Sequence, residues 1–166
     1  MRLAHLLTVL IAASAAAADE KGEMLFVRRI TPLFHEKCLA CHGKDEAKIK
    51  GGLDMRTLAS TLKGGESKLS GFVAGRPEES PIYLAATRKH GDWEAMPPKE
   101  ADALATEQLA WIKEWIQAGA PWPDAARAKA IAQANEARWS KEDGVPIATS
   151  GGQSPEWTRR KYKPED

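Results

Sequence analysis

The chain contains two cysteines, Cys38 and Cys41, and both fall within the decapeptide EKCLACHGKD, with His42 directly after the second. Two thiols and an imidazole at that spacing offer four chemistries. A disulfide between Cys38 and Cys41 closes a very small loop and gives His42 no task. Zinc needs a further ligand, and His35 and His90 make no second pair at zinc-finger spacing. A thioredoxin-like redox site needs a strand-rich βαβ setting, which the helical periodicity of this chain does not offer. The fourth chemistry is covalent haem, for which C-x-x-C-H is the c-type attachment signature. The thiols add to the two porphyrin vinyl groups, and a two-residue spacer in a helical turn sets their separation. His42 then points its imidazole at the iron as proximal ligand. The expected cofactor is one covalent haem c on Cys38 and Cys41, with its iron on His42.

Iron held by one histidine can take a sixth ligand, and that choice separates electron transfer from chemistry at the metal. Met24 lies upstream of the attachment segment, and Met55, in GGLDMRT, reads most simply as a packing residue. Met96 sits in GDWEAMPPKE, where two following prolines fix the backbone and can hold a thioether rigidly. A core methionine in a proline loop is the plainer reading of the same residue. His90 is a rival ligand shortly before it.

These groups need elements to position them. Phe26, Val27, Ile30, Leu33 and Phe34 follow helical spacing into the cysteines, and Pro32 predicts either a kink or a helix start at Thr31. In ESPIYLAATRK, Ser80 is the expected N-cap with Pro81 at the first helical position. Thr106 is a similar cap, and Leu109, Ile112 and Ile116 form one stripe before Gly119 and Pro121 end the helix. Between the helices the chain is rich in glycine, from Gly43 through Gly51, Gly52, Gly64, Gly65 and Gly71 to Gly75. Such residues serve surface turns or let backbone approach a flat ligand closely. Arg56, Arg76 and Trp93 are candidate partners for haem propionates.

The segments FVRRITPLFHEKCLACHG, KGGLDMRTLASTLKGGE, VAGRPEESPIYLA and MPPKEADALATEQLAWIKEWIQAGAPWP occur in that order from about residue 25 to residue 123. Together they resemble the planctomycete-type cytochrome c domain. C-x-x-C-H alone marks only haem attachment, whereas the GGL, G-x-P-E-E-S, M-P-P and W-I-x-x-G-A elements are much more specific in combination. The resemblance implies an all-α, cytochrome c-like fold wrapped around one haem, with its first and last helices packed beside the cofactor. Here those are the helices ending near Lys37 and Ala118. It also implies that Met96 is the distal ligand. The implied function is single-electron transfer between a redox donor protein and an acceptor protein, with no catalysed reaction. The alternatives are a haem enzyme or gas or peroxide sensor with an open or displaceable sixth site, and an electron-entry module of a larger enzyme.

Composition sets outer bounds. Of 166 residues, 43% are hydrophobic and 28% charged, which fits one soluble globular domain with extensions. Lys plus Arg number 24 against 23 Asp plus Glu, so no nucleic-acid partner is implied. Residues 1–18, MRLAHLLTVLIAASAAAA, have a basic start, an apolar stretch and a run of alanines, the pattern of a secretory signal peptide. The apolar part is shorter than the roughly 20 residues that span a bilayer. Cleavage near Ala18 removes Arg2 and leaves 23 basic and 23 acidic residues. The expected location is the periplasm or another exported compartment, with no stable membrane span in the mature protein. The haem domain is expected over 19–123. An alanine-rich surface helix through about Trp139 and a basic tail make up 124–166. Proteins of the resembled kind often carry this domain at the head of a much longer chain, so a short relative or a truncated reading frame is expected.

Overall fold

Proline at position 32 shapes the segment that leads to the cysteines. The computed structural model describes residues 20–142, so the expected signal peptide and the tail from Gly144 onward lie outside the described residues. Residues 20–25 are helical and run into a π-helical turn, Phe26–Ile30, followed by helix α1, Thr31–Lys37. Pro32 has no N–H to donate to a carbonyl in the turn before it. The ladder widens there, and the Thr31 N–H bonds the Phe26 carbonyl five residues back. Of the two sequence expectations for Pro32, the helix start at Thr31 with proline in its first turn is met, and the π turn ahead of it widens the ladder. Phe26, Ile30, Leu33 and Phe34 all point inward and are at most 5% exposed.

The remaining elements follow in chain order. Helix α2, Leu39–His42, is a single turn across the C-x-x-C-H motif. Helix α3, Leu58–Lys63, starts with a reciprocal cap in which Thr57 Oγ1 accepts from the Ser60 N–H at 3.1 Å and Ser60 Oγ accepts from the Thr57 N–H at 3.3 Å. Helix α4 is Pro81–Thr87, α5 is Thr106–Gln117 and α6 is Ala125–Glu142. Short 3₁₀ turns fill several of the connections, and no strand occurs among the described residues. The protein is mostly helical.

Two expected caps differ in detail. Ser80 holds the N-cap position of α4, but its hydroxyl does not bond that helix. The side chain is completely buried, accepting from the Val73 N–H at 2.9 Å and donating to the Arg76 carbonyl at 2.8 Å, so it closes the preceding loop instead. Thr106 is the first residue of α5 and Ala105 occupies the cap position, where Gln108 Oε1 accepts the Ala105 N–H at 2.9 Å. Alanine has no capping oxygen, so the glutamine side chain reaching back does the work.

The core forms where α5 crosses the Phe26–Ile30 turn. Ile112, Trp115 and Ile116 are at most 1% exposed, and Leu109 packs beside them. Burying side chains of this size contributes about 1.5–3 kcal/mol each. The Trp115 ring lies 4.9 Å from Phe72, 5.7 Å from Phe26 and 5.8 Å from Phe34 between centroids, and its Nε1–H donates to the Pro121 carbonyl at 2.9 Å. That bond fixes the turn after α5, where Gly119 adopts a positive φ of 94°. Helix α6 begins with Asp124 Oδ1 accepting from the Arg127 N–H. It then packs on the Phe26–Ile30 turn, with Ile131 buried and Arg127 paired to Glu23 at 2.7 Å. Among the described residues no helix is long and apolar enough to cross a membrane.

Candidate functional site

The two cysteines enter the site from one tight turn. The Cys41 and His42 N–H groups both donate to the Cys38 carbonyl, at 3.1 and 2.9 Å. Cys38 lies at the junction of α1 and α2 and is half-buried, while Cys41 is exposed, and both are free thiols. Burial, with the neighbouring Cys41 second, pushes the Cys38 thiol up to about 12, so it stays protonated at neutral pH.

The loop Lys50–Met55 clamps His42. The Leu53 carbonyl lies 3.1 Å from His42 Nδ1. A carbonyl can only accept, so Nδ1 is the donor, and in the neutral ring Nε2 keeps its lone pair. The Met55 N–H in turn donates to the His42 carbonyl at 2.8 Å. The loop reaches this geometry through Gly51 and Gly52, with φ of 57° and 62°. Gly65 backs it from behind: a Cβ there would sit 2.2 Å from the Gly51 carbonyl oxygen, so only glycine admits the approach. The GGL motif therefore shapes a brace for the imidazole, a role the sequence did not disclose.

Met96 comes from a different part of the chain. Its N–H donates to the Ala85 carbonyl near the end of α4 at 3.0 Å, and the Arg88 guanidinium donates to the Pro97 carbonyl. The M-P-P loop is thus fastened to the end of α4.

These segments enclose one cavity of about 500 Å³, whose lining includes Cys38, Cys41, His42 and Met96. Its apolar walls come from Met55, Ile82, Ala85, Ala86, Leu104 and Ile112. Lys37, Lys50, Glu66 and Glu94 supply its charged side chains. Residues 38–100 match the planctomycete cytochrome C family. No curated protein and no solved structure matched the chain. The matched segment starts at the first cysteine of the motif and extends beyond the M-P-P loop. The cavity walls and ligand candidates fall almost wholly inside it, whereas α1 and α5, which form much of the core, lie outside. The match points to a cytochrome domain over these residues.

The cavity residues fit a haem cofactor. Sulfur and imidazole donors suit iron, and the apolar walls suit a porphyrin face. Among the described residues no three His, Cys, Asp or Glu side chains converge as a metal-binding group, so the two thiols and His42 line a wall instead of closing on a point.

Other expected participants lie elsewhere. His90 is exposed, with its Nδ1 3.9 Å from Asp92, and does not line the cavity. Met24 does not line it either, while Met55 lines it as a buried core residue. Of the propionate candidates, Arg56 is engaged by Asp54 at 2.8 Å and Glu46 at 3.5 Å, and Arg76 by Glu79 at 2.9 Å. Neither arginine lines the cavity, nor does Trp93, and the cations found there are Lys37 and Lys50. Lysines with flexible stems and no motif gave no sequence signal for this placement.

Proposed function

We propose that this is an exported c-type cytochrome domain that carries single electrons through one covalent haem ligated by His42 and Met96. The observation that carries the reading is the meeting of Cys38, Cys41, His42 and Met96 around one apolar cavity. When bound, haem supplies a one-electron couple between ferric and ferrous iron. Cys38 and Cys41 would anchor it as thioethers, each S–H adding across one vinyl group with no net oxidation. His42, its Nδ1–H spent on the Leu53 carbonyl, offers Nε2 to the metal and is held from turning. Met96 offers a soft thioether that favours the reduced state. Met55 also has a sulfur at the cavity, but its backbone is bonded to that of His42, which ties it to the histidine's own segment. Met96 is the sulfur carried by an independent segment. The apolar walls would give the cofactor similar surroundings in both oxidation states.

The domain is expected to span 19–123, and the partners are donor and acceptor redox proteins outside the cytoplasm. An absorption spectrum of protein made with haem-maturation machinery tests the ligand set. The ferric protein should show the sulfur-to-iron charge-transfer band, and the ferrous protein should bind carbon monoxide poorly. Met96→Ala should abolish the band and open the site to carbon monoxide, while His90→Ala should change neither. Ready carbon monoxide binding by the wild type, or loss of the low-spin spectrum with His90 in place of Met96, sinks the electron-carrier reading in favour of an open or bis-histidine site.

A further inference from the structure

The end of α4 is built in an unusual way. Arg88, its C-cap, adopts the left-handed conformation with φ of 58°, a conformation glycine accepts more readily than a residue with a side chain. The position nevertheless holds arginine, and its side chain has a definite destination. The backbone N–H of Arg88 donates to the Ala85 carbonyl at 3.2 Å, the Met96 N–H donates to that same carbonyl at 3.0 Å, and the Arg88 guanidinium donates to the Pro97 carbonyl. The chain is therefore fastened to one helix end on both sides of the Met96 side chain, at Met96's own amide and, one residue on, at the Pro97 carbonyl through Arg88. The loop from the end of α4 to the first attachment, residues 89–95, is largely exposed and contributes little packing of its own.

Arg88 is itself half-buried, and among the described residues no carboxylate forms an ion pair with it. Its charge is thus directed to a backbone carbonyl beside the methionine instead of being neutralised by an acid.

We propose that Arg88 is a positioning residue that latches the Met96 loop to α4 and so sets how firmly the methionine sulfur is kept at the cavity. The proposal rests on the reading of Met96 as the sixth ligand. Its chemical consequence is competition: as pH rises, hydroxide or a deprotonated lysine contends for the site, and a loosened loop yields at a lower pH. A hydrogen bond from a charged donor is worth roughly tenfold or more in such an equilibrium.

The test follows the sulfur-to-iron charge-transfer band of the ferric holoprotein against pH in wild type, Arg88→Gln and Arg88→Lys. Arg88→Gln should lower the midpoint for losing the band by about one pH unit, corresponding to the tenfold loss. Arg88→Lys keeps a cation and one donor and should fall between the two. If Arg88→Gln does not fold, an unchanged midpoint in Arg88→Lys overturns the latch, and a lowered one supports it. With the band present in wild type, an unmoved midpoint in Arg88→Gln overturns the latch while leaving Met96 as ligand. A wild type without the band overturns the ligand reading, and the latch falls with it.

Discussion

Cys38, Cys41 and His42 reach the cavity from a single helical turn, and the next loop returns two hydrogen bonds to that turn at Leu53 and Met55. Met96 instead arrives on a loop that has to be fastened to the end of α4 at Ala85 and Arg88. On the histidine wall the motif itself sets three groups on one turn, where the Cys41 and His42 N–H groups share the Cys38 carbonyl. The methionine wall depends on the packing of α4 against α5 and on one long side chain. Under the proposed ligation, the ligand that must stay put shares a turn with its anchors, and the ligand that can exchange sits on a separate loop, the kind more easily opened by local unfolding.

Substitutions can break that contrast in graded steps. The largest effect belongs to Cys38→Ala combined with Cys41→Ala, which should abolish covalent haem. Intact mass of the denatured protein reads this directly, and retained haem would show that the anchor lies elsewhere. Next is Trp115→Ala, which removes the centre of the aromatic cluster beneath both walls and should cost about 3–5 kcal/mol. Denaturant unfolding measures it, and a loss under 1 kcal/mol would mean the two walls do not share that core. Gly65→Ala attacks the histidine wall alone, because the new Cβ meets the Gly51 carbonyl oxygen at 2.2 Å. The expected cost is about 1–3 kcal/mol, with the Met96 charge-transfer band retained. Loss of that band without loss of stability would reverse the assignment of Gly65 to the histidine side.

The smallest effect is acid dependence in the same clamp loop. Hydrogen bonding from Arg56 holds the Asp54 carboxyl below its ordinary value. Its folded-state value is depressed, so the stabilisation is complete above the usual carboxylate value of about 3.9 and fades as pH falls through the depressed one. Both partners are partly exposed, which keeps the gain small. Asp54→Asn should therefore flatten a shallow loss of unfolding midpoint on acidification below about pH 4, and an unchanged slope would place the acid-sensitive group elsewhere.

Legibility in the sequence follows the same division. C-x-x-C-H states its geometry within one turn, so both thiols and the imidazole could be read directly. The stripe Leu109, Ile112 and Ile116 was legible because helical periodicity exposes it, yet Trp115 as the hub of the core was not, since its partners Phe26, Phe34 and Phe72 are distant in sequence. Met96 was visible as a candidate, but residue type alone could not separate it from His90 or Met55. That separation depends on which segments border the cavity. Leu53 and Ala85 act through backbone carbonyls, which have no residue-type signal, and nothing in the sequence sets Arg88 apart within ESPIYLAATRK. Helix α3 went unread, although Thr57 and Ser60 at cap spacing were its available sign.

The π turn at Phe26–Ile30 has a bearing on how this chain tolerates insertions and deletions. Each residue added to or removed from a helix rotates everything upstream by about 100° relative to everything downstream. Shortening the turn by one residue would restore regular spacing ahead of Pro32 but swing Lys21 and Glu23 away from Glu114 and Arg127 and turn Phe26 out of the aromatic cluster. The extra residue works as a phase setting between the start of the chain and the cysteines, so length changes in this short stretch should be rejected where the exposed loop 89–95 accepts them.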